Sequence, residues 1–322
     1  MAVTRAVPAG AISSGTAPAP LAPAAVVALW AYFVVVWGSG FVASRVALQY
    51  AAPFSYIGVR YGIALVVAIL AFGLHARWPQ TPAQWGHVAV AGLLSHAGYL
   101  GGSHYAQRWG LSAGITALVL ALQPLLTAVV VSRWLHERLS IWQKVGVGVG
   151  LSGVALVVGP RAVEGASSLA SLLAVAWALV CVTAGTLYQR QFGADTDLRA
   201  AVCIHFAATA AVMLPLAVAV EGFAIEWNAP IAAALAYHVV LGSIGAFSIL
   251  HLLMRHGQAT GVTSLLYLTP PVAALCEWLV FGLVPTPLMW AGMVVACVGV
   301  AMVTRAPLRP AVSRSDPAPG TP

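Results

Sequence analysis

Arg108-x-Gly110-x3-Gly114-x-Thr116-x-Leu118-x5-Pro124 returns 147 positions later as Arg255-x-Gly257-x3-Gly261-x-Thr263-x-Leu265-x5-Pro271. The same offset carries Trp30-Ala31-x6-Gly38 onto Trp177-Ala178-x6-Gly185. With a shift of one, Gly146-x6-Gly153-Val154-Ala155 matches Gly292-x6-Gly299-Val300-Ala301. A chain made of two copies of one apolar unit points to a membrane transporter, because many transporter folds place the solute between internal repeats.

The composition supports that class. Charged residues make up 7% of the chain and hydrophobic residues 61%, too little charge to cover a soluble protein of this length. The apolar runs reach the roughly 20 residues that a helix needs to cross a bilayer. A net charge of +7 raises nucleic acid as a partner, but the basic residues are scattered singly between apolar runs, so that reading is set aside. The four cysteines lie inside those runs without metal-ligand spacing and read as small buried hydrophobes. No metal, cofactor or catalytic group is expected.

Hydrophobic length and Pro, Gly and charge punctuation predict ten spans, near 25–46, 54–74, 86–106, 113–134, 144–160, 168–188, 199–220, 230–253, 261–282 and 286–304. Residues 1–24 and 305–322 read as disordered tails, 25–160 as the first five-helix repeat and 161–304 as the second. With both termini cytoplasmic, eleven basic residues fall inside and only Arg45, Arg108 and Arg161 outside, with Arg60 left within a helix. Five spans per copy is odd, so the second copy enters the membrane from the opposite side. The expected fold is all-α and integral to the membrane, with ten transmembrane helices as two inverted repeats.

The first span carries Trp37-Gly38-Ser39-Gly40-Phe41-Val42-Ala43-x-Arg45. Arg60, Ala106-x2-Trp109-x2-Ser112-Ala113-Gly114, Pro124, Glu137-Arg138-Leu139 and a Gly-rich fifth span follow. The second half repeats the scheme through Gly261-x-Thr263 and Pro270-Pro271. In these motifs and their order the chain resembles EamA-type transporters of the drug/metabolite transporter superfamily, over roughly residues 25 to 305. It departs where the second copy has Leu283 or Val284 in place of Glu137. The resemblance implies a central cavity lined mainly by helices one, three, four, six, eight and nine, and a small solute such as an amino acid, drug or other metabolite, commonly moved outward in the inner membrane.

Ionisable groups within apolar spans are costly and therefore candidates. Glu277, whose counterpart in the first copy is Val130, reads as a partner of a solute ammonium, a proton-coupling carboxylate, or an acid snorkelling to the interface. Arg60 reads as a helix brace, the favoured role, or as a partner for a solute carboxylate. His96 and Tyr99 share a helical face, and His96 and His251 are further proton-coupling candidates. Trp37, Trp177, Tyr188 and Tyr267 form a candidate aromatic wall, with Ser39, Gln123 and Ser243 as polar cavity groups. Gly146, Gly150 and Gly153, with Gly292, Ala296 and Gly299, form small-residue stripes for close packing within one subunit or in a homodimer. The partners expected are a small solute and the bilayer. The alternative is an integral-membrane enzyme acting on a lipid-type substrate, which would need clustered acids that the eight scattered Asp and Glu do not form.

Overall fold

The computed structural model describes residues 23–134, 139–163, 167–246, 249 and 266–305. The two expected tails otherwise lie outside the described residues, as does His251. Helices α1 (Pro23–Ala47), α2 (Pro53–Phe72), α3 (Pro82–Gly92), α4 (Tyr99–Arg108), α5 (Ala113–Leu120), α6 (Gln123–Trp134) and α7 (Ile141–Val163) belong to the first copy. The second contributes α8 (Leu169–Phe192), α9 (Leu198–Glu221), α10 (Ala229–Ala236), α11 (Thr269–Phe281) and α12 (Pro287–Arg305).

Seven described helices are long and apolar enough to cross a membrane: Ala24–Ala47, Pro53–His75, Ala113–Trp134, Ile141–Pro160, Leu169–Phe192, Leu198–Glu221 and Pro287–Arg305. Their outer surfaces are apolar too, with Leu70 78% and Leu169 72% exposed, a pattern that water would penalise and lipid tolerates. The chain is thus a multi-pass membrane protein. The other three expected spans differ for identifiable reasons. The stretch 86–106 is divided, because α3 passes into α4 through a π-helical turn, Leu93–Gly98. The stretch 230–253 begins as α10, widens into a second π segment, Tyr237–Ala246, and runs beyond the described residues. The stretch 261–282 starts outside them and ends as α11.

Adding 147 to α2 lands on α9, and adding it to α7 lands on α12. Both pairs of equivalents pack together and run antiparallel. Phe54 near the start of α2 bonds Glu221 at the end of α9, and Arg77 beyond α2 bonds Asp197 at the start of α9. Along α7 and α12 the predicted small-residue stripes meet face to face. A methyl group on Gly153 would overlap backbone of Gly292 and Ala296, and one on Gly299 would overlap backbone of Gly150. Only hydrogen at these positions lets the two backbones approach so closely. The stripes are filled from within the chain.

Candidate functional site

Segments from both copies enclose a cavity of about 370 Å³. Trp37, Gly40, Phe41 and Ser44 of α1 line it, with Arg60 and Tyr61 of α2. The first π turn and α4 add His96, Tyr99, Ser103 and His104. Gln123 and Pro124 come from α6, Thr186 from α8, Phe206 from α9, and Tyr237, His238 and Ser243 from the second π segment. Tyr267 and Thr269 complete the wall. The two π segments fall at equivalent positions of the two copies, and each turns a histidine, His96 or His238, to the cavity. Such widened turns recur at functional sites because they re-aim side chains that a regular helix would direct elsewhere.

Most of the polar lining is tied down. His96 Nδ1 and the Tyr61 hydroxyl are 2.9 Å apart, and Gln123 Nε2 donates to Thr186 Oγ1 at 2.9 Å. His238 Nε2 lies 3.1 Å from the Gly40 carbonyl and its Nδ1 2.6 Å from the Tyr56 hydroxyl. Nδ1 also lies 3.0 Å from the Ala234 carbonyl, so each ring nitrogen faces a backbone carbonyl. Three lining atoms are buried without a hydrogen-bond partner: Arg60 Nε, His104 Nε2 and Thr269 Oγ1. Arg60 stacks its guanidinium over the Tyr61 ring at 5.4 Å, and among the described residues it has neither the capped carbonyl nor the acid that a bracing role requires.

Of the eleven residues expected to contact solute, Trp37, Arg60, His96, Tyr99, Gln123, Ser243 and Tyr267 line the cavity. The other four lie outside its wall. Ser39 bonds the Tyr237 hydroxyl at 2.5 Å and stands behind it. Trp177 is 59% exposed on the outside of α8. Tyr188 pairs with His87 at 2.8 Å and packs on Phe192. Glu277 is 3% exposed, but it neither reaches the cavity nor snorkels. It accepts from the backbone N–H groups of Ala113 and Gly114, at 2.8 and 3.1 Å, and forms an ion pair with Arg45.

Those bonds belong to one closed end of the bundle. The first free N–H groups of a helix need partners. Glu277 satisfies two at the start of α5 and Ser112 Oγ a third, that of Ile115. Glu221, which sequence reading overlooked, does the same for α2. Pro53 has no N–H, and Glu221 takes those of Phe54 and Ser55 at 2.9 and 2.8 Å. The Tyr105 hydroxyl donates to it at 2.7 Å, Arg108 donates to the Leu48 carbonyl at 2.8 Å, and an antiparallel bridge joins Ala51 to Ile225. The helix dipoles add to the attraction for both carboxylates.

At the opposite end lies a second cavity of about 880 Å³, walled by α2, the start of α9 and the second π segment, with His75, Arg77, Asp195, Asp197 and Arg199 on it. Asp197 accepts from the backbone N–H of Arg77 at 2.8 Å and caps α9 through that of Arg199. The Arg77 bond in particular holds its carboxyl below the ordinary carboxylate range. Phe206 and Ser243 line both cavities, so the two adjoin there.

The profile of the EamA-like transporter family matches residues 25–159 and 168–305, once for each copy. The chain belongs to this family. The relatives it resembles include an uncharacterized transporter, YvbV, of Bacillus subtilis, 28% identical over 77% of this chain and 81% of the relative. A probable terminal-alkyne amino-acid exporter of Streptantibioticus cattleyicolor is 29% identical over 86% and 93%. A probable amino-acid metabolite efflux pump of Salmonella typhimurium is 31% identical over 39% and 40%. A protein of known crystal structure superposes with a TM-score of 0.61 over 87% of this chain and 96% of its own, at 21% identity, which shows the shared fold. The transporter's relatives give no support to the lipid-enzyme alternative.

Proposed function

We propose that the chain is a secondary exporter of small amino-acid-like metabolites that works by alternating access. Two inverted five-helix repeats, ten spans in all, rock about the central cavity, with both termini cytoplasmic. The observation that carries this reading is the asymmetry around the 370 Å³ cavity. Cross-repeat carboxylate bonds close one end, and the 880 Å³ cavity adjoins it at the other. Inverted repeats supply such a pair of states by exchanging the conformations of their halves. The positive-inside rule puts the Glu221 and Glu277 end outside and the Arg77 and Arg199 end in the cytoplasm, so the conformation described is inward-facing. The names of two relatives, an exporter and an efflux pump, support outward movement of amino-acid-type solutes. No carboxylate is among the cavity's lining residues, and proton exchange in this scheme falls to the histidines, His96 among them.

The test is uptake by proteoliposomes containing the purified protein. A panel of labelled amino acids, organic acids and organic cations is run with and without a pH gradient. Saturable counterflow of an amino-acid-type solute is expected, and saturable movement of none of the panel would overturn the reading.

A further inference from the structure

The solute cavity has a charge of one sign. Arg60 is a guanidinium at membrane depth, where an uncompensated cation is expensive. The Tyr61 face offsets part of that cost, yet Nε is buried without a partner, and a buried polar atom left unbonded calls for an explanation. No acid answers it. The described acids are Asp195, Asp197, Glu221, Glu226 and Glu277, and none lines the cavity. The remaining acids, Glu137, Glu164 and Asp316, lie outside the described residues. Thr269 Oγ1, also buried and unpartnered, is a further hydroxyl donor on the same wall. The rest is apolar and aromatic, with Trp37, Phe41, Tyr99, Phe206 and Tyr267 around it.

We propose that Arg60 is the binding residue for a solute carboxylate, and that the cavity takes small monocarboxylates with an apolar or aromatic body, with no counter-ion for an ammonium group. A guanidinium presents paired donors that match the two oxygens of a carboxylate. Buried unpaired donors discriminate strongly against a molecule that cannot satisfy them. The amino group of an amino-acid-like solute is therefore dispensable for binding, and a cation of the same body is excluded. This inference rests on the transport reading above only for the identity of the cavity as the solute site.

Three probes with one body separate the charges: 3-phenylpropionate carries the carboxylate alone, L-phenylalanine both groups, and 2-phenylethylamine the ammonium alone. Equilibrium binding to the purified full-length protein in detergent is measured for each. The two carboxylates are expected to bind and the amine to bind at least tenfold more weakly. Arg60→Gln should weaken both carboxylates by roughly 10- to 100-fold and leave the amine unchanged, while Arg60→Lys recovers part of the loss. Amine binding as tight as that of the carboxylates, or failure of both carboxylates to bind, overturns the inference. The comparison of probes on the unmodified protein decides the matter even where a variant does not fold. Binding without movement in proteoliposomes would sustain this inference and defeat the transport reading, whereas counterflow of organic cations alone would do the reverse.

Discussion

The Glu277 carboxylate accepts the backbone N–H of Ala113 at 2.8 Å across 164 positions of sequence. The contact joins the second repeat to the first at the start of α5. It gives an acid in an apolar helix a structural role: a buried helix terminus needs an acceptor, and a carboxylate serves two N–H groups and the dipole at once. Glu277→Gln keeps one acceptor oxygen and removes the ion pair with Arg45. The expected loss is about 1–3 kcal/mol, read as a lower thermal midpoint of the purified protein. The shape of the pH–transport profile should not change, and a flattened profile would restore Glu277 as a proton carrier.

If the contacts at this end form the outer gate, locking them stops the cycle. Facing residues of an antiparallel bridge have Cα atoms about 4.5–5.5 Å apart, within reach of a disulfide. In the double variant Ala51→Cys/Ile225→Cys, oxidation should abolish net transport and reduction should restore it. Solute binding from the opposite end should survive the lock. Unimpaired transport by the oxidised protein would show that this end does not open.

Much of this fold was legible in the sequence. The repeat offset alone pairs α2 with α9 and α7 with α12, and the small-residue stripes named the faces that meet. What could not be read was direction around each helix. A helix apolar on every side gives no moment to separate its lipid face from its cavity face. Sequence therefore does not distinguish Trp177 and Tyr188 from cavity residues, although one is exposed and the other pairs with His87. The π segments were invisible because a widened turn changes which residues share a face without changing composition. Glu221 and Glu277 gave no local sign of their partners, Phe54 and Ala113, which lie in the other repeat.

Gly299 tests the packing of the two terminal helices. A methyl group there would overlap the backbone of Gly150, and backbone cannot step aside as a flexible side chain can. Gly299→Leu should destabilise by roughly 1–3 kcal/mol or more, whereas Gly148→Leu, at a position with open space around it, should be near neutral. Equal thermal midpoints for the two variants would count against the close α7–α12 contact.

Asp197 ties the loop before α3 to the start of α9. Its carboxyl titrates below the usual value because the bonds from Arg77 and Arg199 favour the charged form. A depressed folded value makes the contribution fully present above the unfolded value near 3.8 and lost as pH falls through the lower folded one. Asp197→Asn should therefore lower the thermal midpoint at neutral pH and have progressively less effect as the pH drops below about 4. A constant difference from pH 7 to pH 3 would exclude the charge as the cause.

Phe206 stands between the two cavities, edge-on to Tyr61 at 5.2 Å and to His96 at 5.9 Å. It is 3% exposed, so Phe206→Ala carries a packing cost of roughly 3–5 kcal/mol, and Phe206→Leu keeps most of the volume as a control. Removing the ring should join the cavities and let water and small reagents pass. In a cysteine-free background, a reporter at Ala121→Cys on the central cavity should react faster with a membrane-impermeant thiol reagent applied from the Arg77 end once Phe206 is alanine. The leucine control should give an intermediate rate. Equal rates in all three proteins would mean that the partition between the cavities is built by other groups, with Ser243 the next to replace.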